Sequence, residues 1–467
     1  MIERNSDGVE HAPKVWMLDG FDPKTLPAGF WPYADAIRYV VGRVAIGQVI
    51  DARRRKGRSG WVAMRRNDVS PLFGRSGTWN KVRRALLDRR ILECDESYTV
   101  SEKAKWYRLG PGWRGHEVKL SAIRDKRIAA RIEKLEAVED NRTVWEPTHH
   151  HLHRWLGETT VDEAQAGKWT RQRRRSRKQH LTAQHLTALK LSVIRSGEAP
   201  LKVDPFGRVH SPVVNLRSLA RPALRIGGRP LAEADVANAQ PLLFGYLVAK
   251  VVTGDWSKEQ VKALGQKAGE QGRFNGYIKT REEGGQVKEP RRQGNTICVP
   301  NLHLSPCLGA LPDDLINYLY VCQSGTFYQA LAEEWGLPCD PGKAKNRIKY
   351  LTFRYVLFGR PRPGHRYWEA IRRRWPTVAC VLEEIKADDH GTAARACQRI
   401  ESSLMIGGVV ERFRVAHPNV AIQTIHDSVL VHPEMLDLTE DTILDVFGAI
   451  GLTPQIKLKR PGQCLVA

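Results

Sequence analysis

Apolar residues recur at helical spacing across residues 31–56, with Ile37, Val40, Val41, Val44 and Val49 on one face. This periodicity predicts an amphipathic helix, and the stretch closes on Arg53-Arg54-Arg55-Lys56-Gly57. Residues 66–74 predict a short second helix with a glycine stop at Gly74. Thr78 serves as the cap of a third helix over 79–91, with Val82, Leu86 and Leu87 inward and Lys81, Arg84 and Arg90 outward. The pattern then changes, and 91–94 and 105–109 read as two strands around a polar turn. Residues 112–200 are helix-rich and basic. Residues 265–312 are rich in glycine, proline and charge and predict a long loop.

Two later apolar runs are made of strand formers. One is Leu231-Ala232-Glu233-Ala234-Asp235-Val236, and the other spans 422–431, with Ile422, Ile425, Val429, Leu430 and Val431. Each carries an aspartate at its end, Asp235 in the first and Asp427 in the second. Carboxylates on neighbouring strands are rigidly held, and a pair can hold two divalent metals that align the attacking and leaving oxygens of phosphoryl transfer. Between them, Lys345, Lys349 and Phe353 stand at i, i+4 and i+8 and so share one helix face.

The net charge of +23 over 467 residues argues for a polyanionic partner with salt-dependent affinity. The length suits two or three domains. No apolar run reaches transmembrane length, and the first residues lack a signal-peptide core, so no membrane partner is expected. The eight cysteines show no C-x-x-C spacing, which makes disulfides unexpected and a cytoplasmic setting the default. Cys298, His303 and Cys307 have poor zinc-ligand spacing, and His149-His150-His151 with His153 reads as a polar helix end.

The three helices and ribbon predict a winged helix-turn-helix over 1–110, whose third helix enters the major groove between flanking phosphate contacts. Lys81 and Arg84 are its candidate nucleic-acid contacts.

Four segments, in order, resemble the motifs of family A DNA polymerases, the class of bacterial DNA polymerase I. They are Phe206-Gly207-Arg208-Val209-His210-Ser211 with Asn215-Leu216-Arg217, Asp235-Val236-Ala237-Asn238-Ala239-Gln240, Lys345-x3-Lys349-x3-Phe353 closing on Phe358-Gly359, and His426-Asp427-Ser428. The likeness covers roughly residues 200–435. It implies an α+β right-hand polymerase, with a basic thumb or linker over 111–200 and palm and fingers over 201–467. By the resemblance, Asp235, Asp427 and the Val236 carbonyl bind two Mg²⁺ ions, with Mn²⁺ possible in their place. Lys345 and Lys349 hold the triphosphate, Phe353 stacks near the incoming base, and Gln240 stands beside its sugar. Arg208, Asn215, His426, either Gln398 or Glu401, and Arg174 of the basic run 168–178 contact the nucleic acid.

The chain departs from the family at three points. Gln240 replaces a glutamate, Ser428 replaces another, and counting back from Phe358-Gly359 places the family's lysine on Tyr350, one residue late. His-Asp-Ser is the triplet of single-subunit phage-type RNA polymerases. The reading is therefore a DNA-directed DNA polymerase without proofreading, of the kind that serves plasmid or phage replication, acting on a DNA primer–template and nucleoside triphosphates. The alternatives are an RNA polymerase or primase on the same fold, or a non-catalytic initiator that binds origin DNA. The oligomeric state is left open.

Overall fold

A computed structural model describes residues 14–50, 60–74, 77–95, 104–139, 145–171, 179–266, 311–340 and 343–461. The chain divides into two compact units, one drawn from 1–143, 156–202 and 210–228, the other from 144–155, 203–209 and 229–467.

In the first unit the long helix Ala34–Ile50 buries Ile37, Val40, Val41, Val44 and Val49, the residues its periodicity selects. A short helix, Arg66–Val69, leads into a 3₁₀ turn, Ser70–Phe73, that ends at Gly74. The next helix is Thr78–Asp88. Its cap is Gly77, at φ 84°, and Thr78 is its first helical residue. Val82 and Leu86 are buried, whereas Lys81 and Arg84 are exposed. The strands Leu92–Asp95 and Ala104–Leu109 pair antiparallel, and Gly110 follows where any Cβ would collide with the Arg90 carbonyl. A third strand, Val62–Arg65, pairs on the other side of Ala104–Leu109. Sequence reading misses it because a four-residue strand supplies too few alternations to stand out.

The second unit is built on a four-stranded antiparallel sheet. Its order is Ile422–Ile425, Ser428–Val431, Ala232–Val236, Ile456–Lys459. Both middle strands are almost wholly buried. The helix Ala239–Val252 leaves the end of Ala232–Val236 and is buried all round from Ala239 to Lys250. It lies so close to the helix Asp313–Gln323 that a Cβ at Gly245 would sit 2.7 Å from the Tyr318 ring, so only glycine fits. Thr392–Ser402 and Pro376–Ile385 pack on the same helix.

The helix Lys343–Thr352 runs into a π-helical turn, Phe353–Leu357. A π turn takes up one residue more than an α turn. That extra residue lengthens the path from Lys349 to Phe358-Gly359 by one position relative to a regular α-helix. Phe353 opens the π turn, and its ring packs on Phe358 at 4.9 Å. The cluster at His149–His153 lies within the helix Pro147–Gly157 rather than at a polar end, with His149 and His151 buried: His149 Nδ1 accepts from the Glu146 amide at 2.9 Å, and His151 accepts from the Trp155 indole at 3.3 Å. Cys298, His303 and Cys307 lie outside the described residues, as do Arg174 and nearly all of the 265–312 segment.

Candidate active site

Asp235 stands fourth in the strand Ala232–Val236, opposite Ser428 on one side and Lys457 on the other. Asp427 occupies the two-residue turn between Ile422–Ile425 and Ser428–Val431. The Val236 amide donates to the Asp427 carbonyl at 3.1 Å, which locks the turn to the end of the neighbouring strand. Backbone hydrogen bonding thus brings the two sequence-selected aspartates to one sheet end.

Both flanks of this end are strained. Asn238, just after Asp235, and His426, just before Asp427, have φ of 55°. Among the described residues only Arg90 joins them as a non-glycine residue with positive φ. Left-handed backbone at a non-glycine residue costs energy and tends to be kept where function needs it.

The carboxylates are crowded. Ser428 Oγ donates to Asp235 Oδ1 at 2.6 Å, and Lys459 Nζ lies 3.7 Å from Oδ2. Burial, then the charges of Glu401 and Asp235, push the Asp427 carboxyl well above the ordinary carboxylate range. Such a cluster favours a cation, which relieves both repulsion and desolvation.

Glu401 requires a correction to the sequence reading. It is 3 % exposed, and it pairs with Arg208 at 2.6 Å and accepts from the Gln240 amide. A buried carboxylate so engaged is not placed to meet a nucleic-acid groove, where it would also repel phosphate. It ties Arg208 and Gln240 together instead, and its charge bears on Asp427. Arg208 reaches this link because Asp204 Oδ1 accepts from the Phe206 and Arg208 amides at 2.8 and 3.0 Å, shaping the turn at Gly207. Gln398 is half-buried on the same helix as Glu401.

Lys345 and Lys349 approach the sheet from their helix. Lys457 on the edge strand feels both of them electrostatically, together with Lys459 and Asp235. Lys349 also lies over the Tyr328 ring, 5.4 Å from its centroid. Tyr328 is buried, and burial, Cys322 and Asp427 together push its hydroxyl above the ordinary range. Lys457, Lys459 and Tyr328 escaped the sequence reading. Ile456-Lys457-Leu458-Lys459 does alternate, and that short pattern was the available signal for an edge strand.

Lys81, Arg84 and Asn215 belong to the first unit, where the Asn215 side chain donates to the Ser211 carbonyl at 3.3 Å.

Among the described residues no group of three or more His, Cys, Asp or Glu gathers at metal-binding distance. The donors that fit a hard divalent ion are Asp235, Asp427 and the Val236 carbonyl, with water and substrate phosphate completing any shell. Among the described residues no helix is long and apolar enough to cross a membrane.

No family model matches the chain, and no curated protein matches it. Among solved structures it is similar to the POL domain of Pol1 from M. smegmatis in complex with DNA primer-template and dNTP. Identity is 12 %, coverage is 91 % of this chain and 84 % of that one, and the TM-score is 0.31. A likeness this distant decides neither topology nor activity.

Proposed function

We propose that the chain is a template-directed nucleotidyltransferase, a DNA polymerase that extends a DNA primer with nucleoside triphosphates. The observation that carries this reading is one convergence. The Val236-to-Asp427 backbone hydrogen bond brings Asp235 and Asp427 to one sheet end, beside lysines supplied by a separate helix and by the edge strand. Paired carboxylates suit divalent cations, and the lysines suit the polyphosphate those cations would accompany.

Asp235, Asp427 and the Val236 carbonyl would hold Mg²⁺, which activates the attacking 3′-hydroxyl and neutralises charge on the leaving pyrophosphate when bound. The chain's own residues do the remaining work. Ser428 fixes the rotamer of Asp235 through its 2.6 Å hydrogen bond. Lys345 and Lys349 balance the charge of the triphosphate. Arg208, held by Glu401, presents a guanidinium fixed in direction to the duplex beside the primer end. The decisive experiment supplies a primed DNA template, Mg²⁺ and dNTPs or NTPs separately, and sizes the products. Templated products of either kind support the reading, and their absence with both sets rejects it.

Lys349→Ala is expected to raise the nucleotide KM about tenfold and to slow turnover, with duplex affinity unchanged, since the lost cation faces the triphosphate. Steady-state extension at varied dNTP, alongside a duplex titration, checks this. Normal kinetics in Lys349→Ala with a defect in Arg347→Ala would move the assignment to another face of the helix.

The first unit is read as a winged helix that binds DNA. Its order of helix, strand, two helices and a strand pair supports this, with Lys81 and Arg84 exposed on the third main helix. A protein lacking residues 1–110 is expected to bind duplex DNA more weakly and with a flatter salt dependence, while still extending a pre-annealed primer. Equal binding at every salt concentration would assign the unit to another partner.

A further inference from the structure

The π turn Phe353–Leu357 and the loop after it carry a row of flat side chains that no role assigned above uses. Arg354 lies against two tyrosine rings, 5.7 Å from the centroid of Tyr350 and 5.2 Å from that of Tyr355, and it donates to the Tyr350 hydroxyl. Tyr355 stacks on His365 at 4.4 Å with the rings 20° apart. His365 meets Tyr367 at 5.4 Å, and Tyr367 is buried against Trp335 at 4.7 Å. The row is thus rooted in the core of the second unit and runs outward through half-buried rings to Tyr350, which is 56 % exposed. Its surroundings are of one charge. Between Asp340 and Glu369 the chain has eight Lys or Arg and no Asp or Glu. Among the described residues, Arg347, Arg354, Arg360, Arg362 and Arg366 are all exposed and none has a carboxylate partner. Every other exposed arginine could be read as a solvated charge, but arginines without counter-charges around an exposed, pre-stacked aromatic row combine the two features that hold an unpaired polynucleotide, cations for its phosphates and planes for its bases.

We infer that the row Tyr350, Arg354, Tyr355 and His365 is a docking surface for single-stranded nucleic acid, on which bases stack while the neighbouring arginines meet the backbone. The planes decide between strands. A duplex hides its base faces inside the helix, so a cationic surface without exposed rings would favour duplex, with its denser charge, whereas exposed rings gain only from unpaired bases. Stacking reads no base edge, so the surface accepts any sequence. Tyr355 and His365 are already stacked on each other and on the buried Tyr367, which leaves little side-chain freedom to lose on binding. The inference goes beyond the nucleotidyl-transfer reading and stands without it, because the surface would hold an unpaired strand whether or not the chain extends a primer.

The test uses the full chain and a short oligothymidylate carrying 5-iodouracil, a base that photocrosslinks to rings it stacks on. In the wild-type protein, crosslinks mapped by mass spectrometry are expected at Tyr350 or Tyr355, and this arm needs no variant to fold. By fluorescence anisotropy at fixed salt, Tyr350→Ala is expected to weaken oligothymidylate binding about tenfold while duplex affinity stays within about twofold. Tyr350→Phe, which keeps the ring, is expected to retain most of the binding. Tyr320→Ala, which removes a ring 67 % exposed on the helix Asp313–Gln323, is expected to leave it unchanged. The same titration with oligouridylate separates RNA from DNA as the source of the strand. Crosslinks confined to other segments, an unaltered affinity in Tyr350→Ala, an equal loss in Tyr320→Ala, or competition by polyglutamate as strong as that by oligothymidylate would overturn the surface. A Tyr350-dependent strand affinity without any primer extension would keep the surface and remove the polymerase reading. Extension with single-strand binding indifferent to Tyr350→Ala would do the reverse.

Discussion

Asp427→Ala and Asp235→Ala are each expected to lower primer extension at least a thousandfold, about 4 kcal/mol of transition-state stabilisation, while duplex affinity stays within about threefold of wild type. The separation follows from the geometry. The two carboxylates stand at one sheet end and face the lysines, whereas duplex contacts are assigned to Arg208, His426 and the first unit. Stability supplies a second readout. Asp427 is held well above its ordinary pKa by burial and by Glu401 and Asp235, so the folded state binds its proton more tightly than the unfolded chain does. The sign is then fixed: this group's contribution weakens as pH rises from the ordinary carboxylate range toward the raised folded value. Asp427→Asn, which removes the charge and keeps the shape, is expected to be more stable than wild type by ~1–2 kcal/mol near neutral pH, with the gain shrinking as pH falls. A residue that costs stability and is essential for turnover is one kept for its chemistry. Wild-type extension in either alanine variant, or a destabilised Asp427→Asn, would remove the carboxylate pair from the active site.

The sequence disclosed this pair because both aspartates close runs of strand formers, and β-branched alternation survives without tertiary context. The helix bearing Lys345 and Lys349 was legible from the i, i+4 spacing of the two lysines, whereas the π turn it runs into was not. What stayed hidden has a common physical origin. Charged residues are read by default as solvated, and in this chain several are interior. Glu401, one of two candidates for a groove contact, is a buried link between Arg208 and Gln240. Arg399 is 2 % exposed, donates to the Leu264 and Gln266 carbonyls, and stacks over Phe206. Lys457 gains its meaning only from its register against Asp235. Burial of a charge depends on which carbonyls and carboxylates the fold brings near it, and no local pattern encodes those partners.

Lys386 is the most consequential of these hidden charges, and Lys386→Met is expected to destabilise the second unit by ~2–4 kcal/mol at pH 8. The side chain is 1 % exposed. Its amino group donates to the carbonyls of Val356 and Leu357 at 2.6 and 2.7 Å and lies 3.4 Å from that of Gly359. Those carbonyls close the π turn that continues the helix of Lys345 and Lys349, and a helix end leaves its last carbonyls without partners inside the helix. Methionine fills the same volume but donates nothing, so the buried carbonyls lose their hydrogen bonds at about 1–3 kcal/mol for an unsatisfied group. The pH dependence distinguishes this from a packing defect. Burial pulls the Lys386 pKa down to about 7, so between pH 7 and the ordinary lysine range the unfolded chain binds more protons than the folded one. Stability therefore rises with pH across that window, by up to about 1.4 kcal/mol per pH unit from this one group. Urea unfolding at pH 7, 8 and 9 should show the wild-type protein gaining on Lys386→Met at each step. Loosening the π turn should also let the lysine helix drift, so the variant's nucleotide KM should rise while primer–template affinity holds. Equal stability of the two proteins at pH 8, or a gap that does not widen with pH, would show that Lys386 is neither the clamp on this turn nor a titrating group within it.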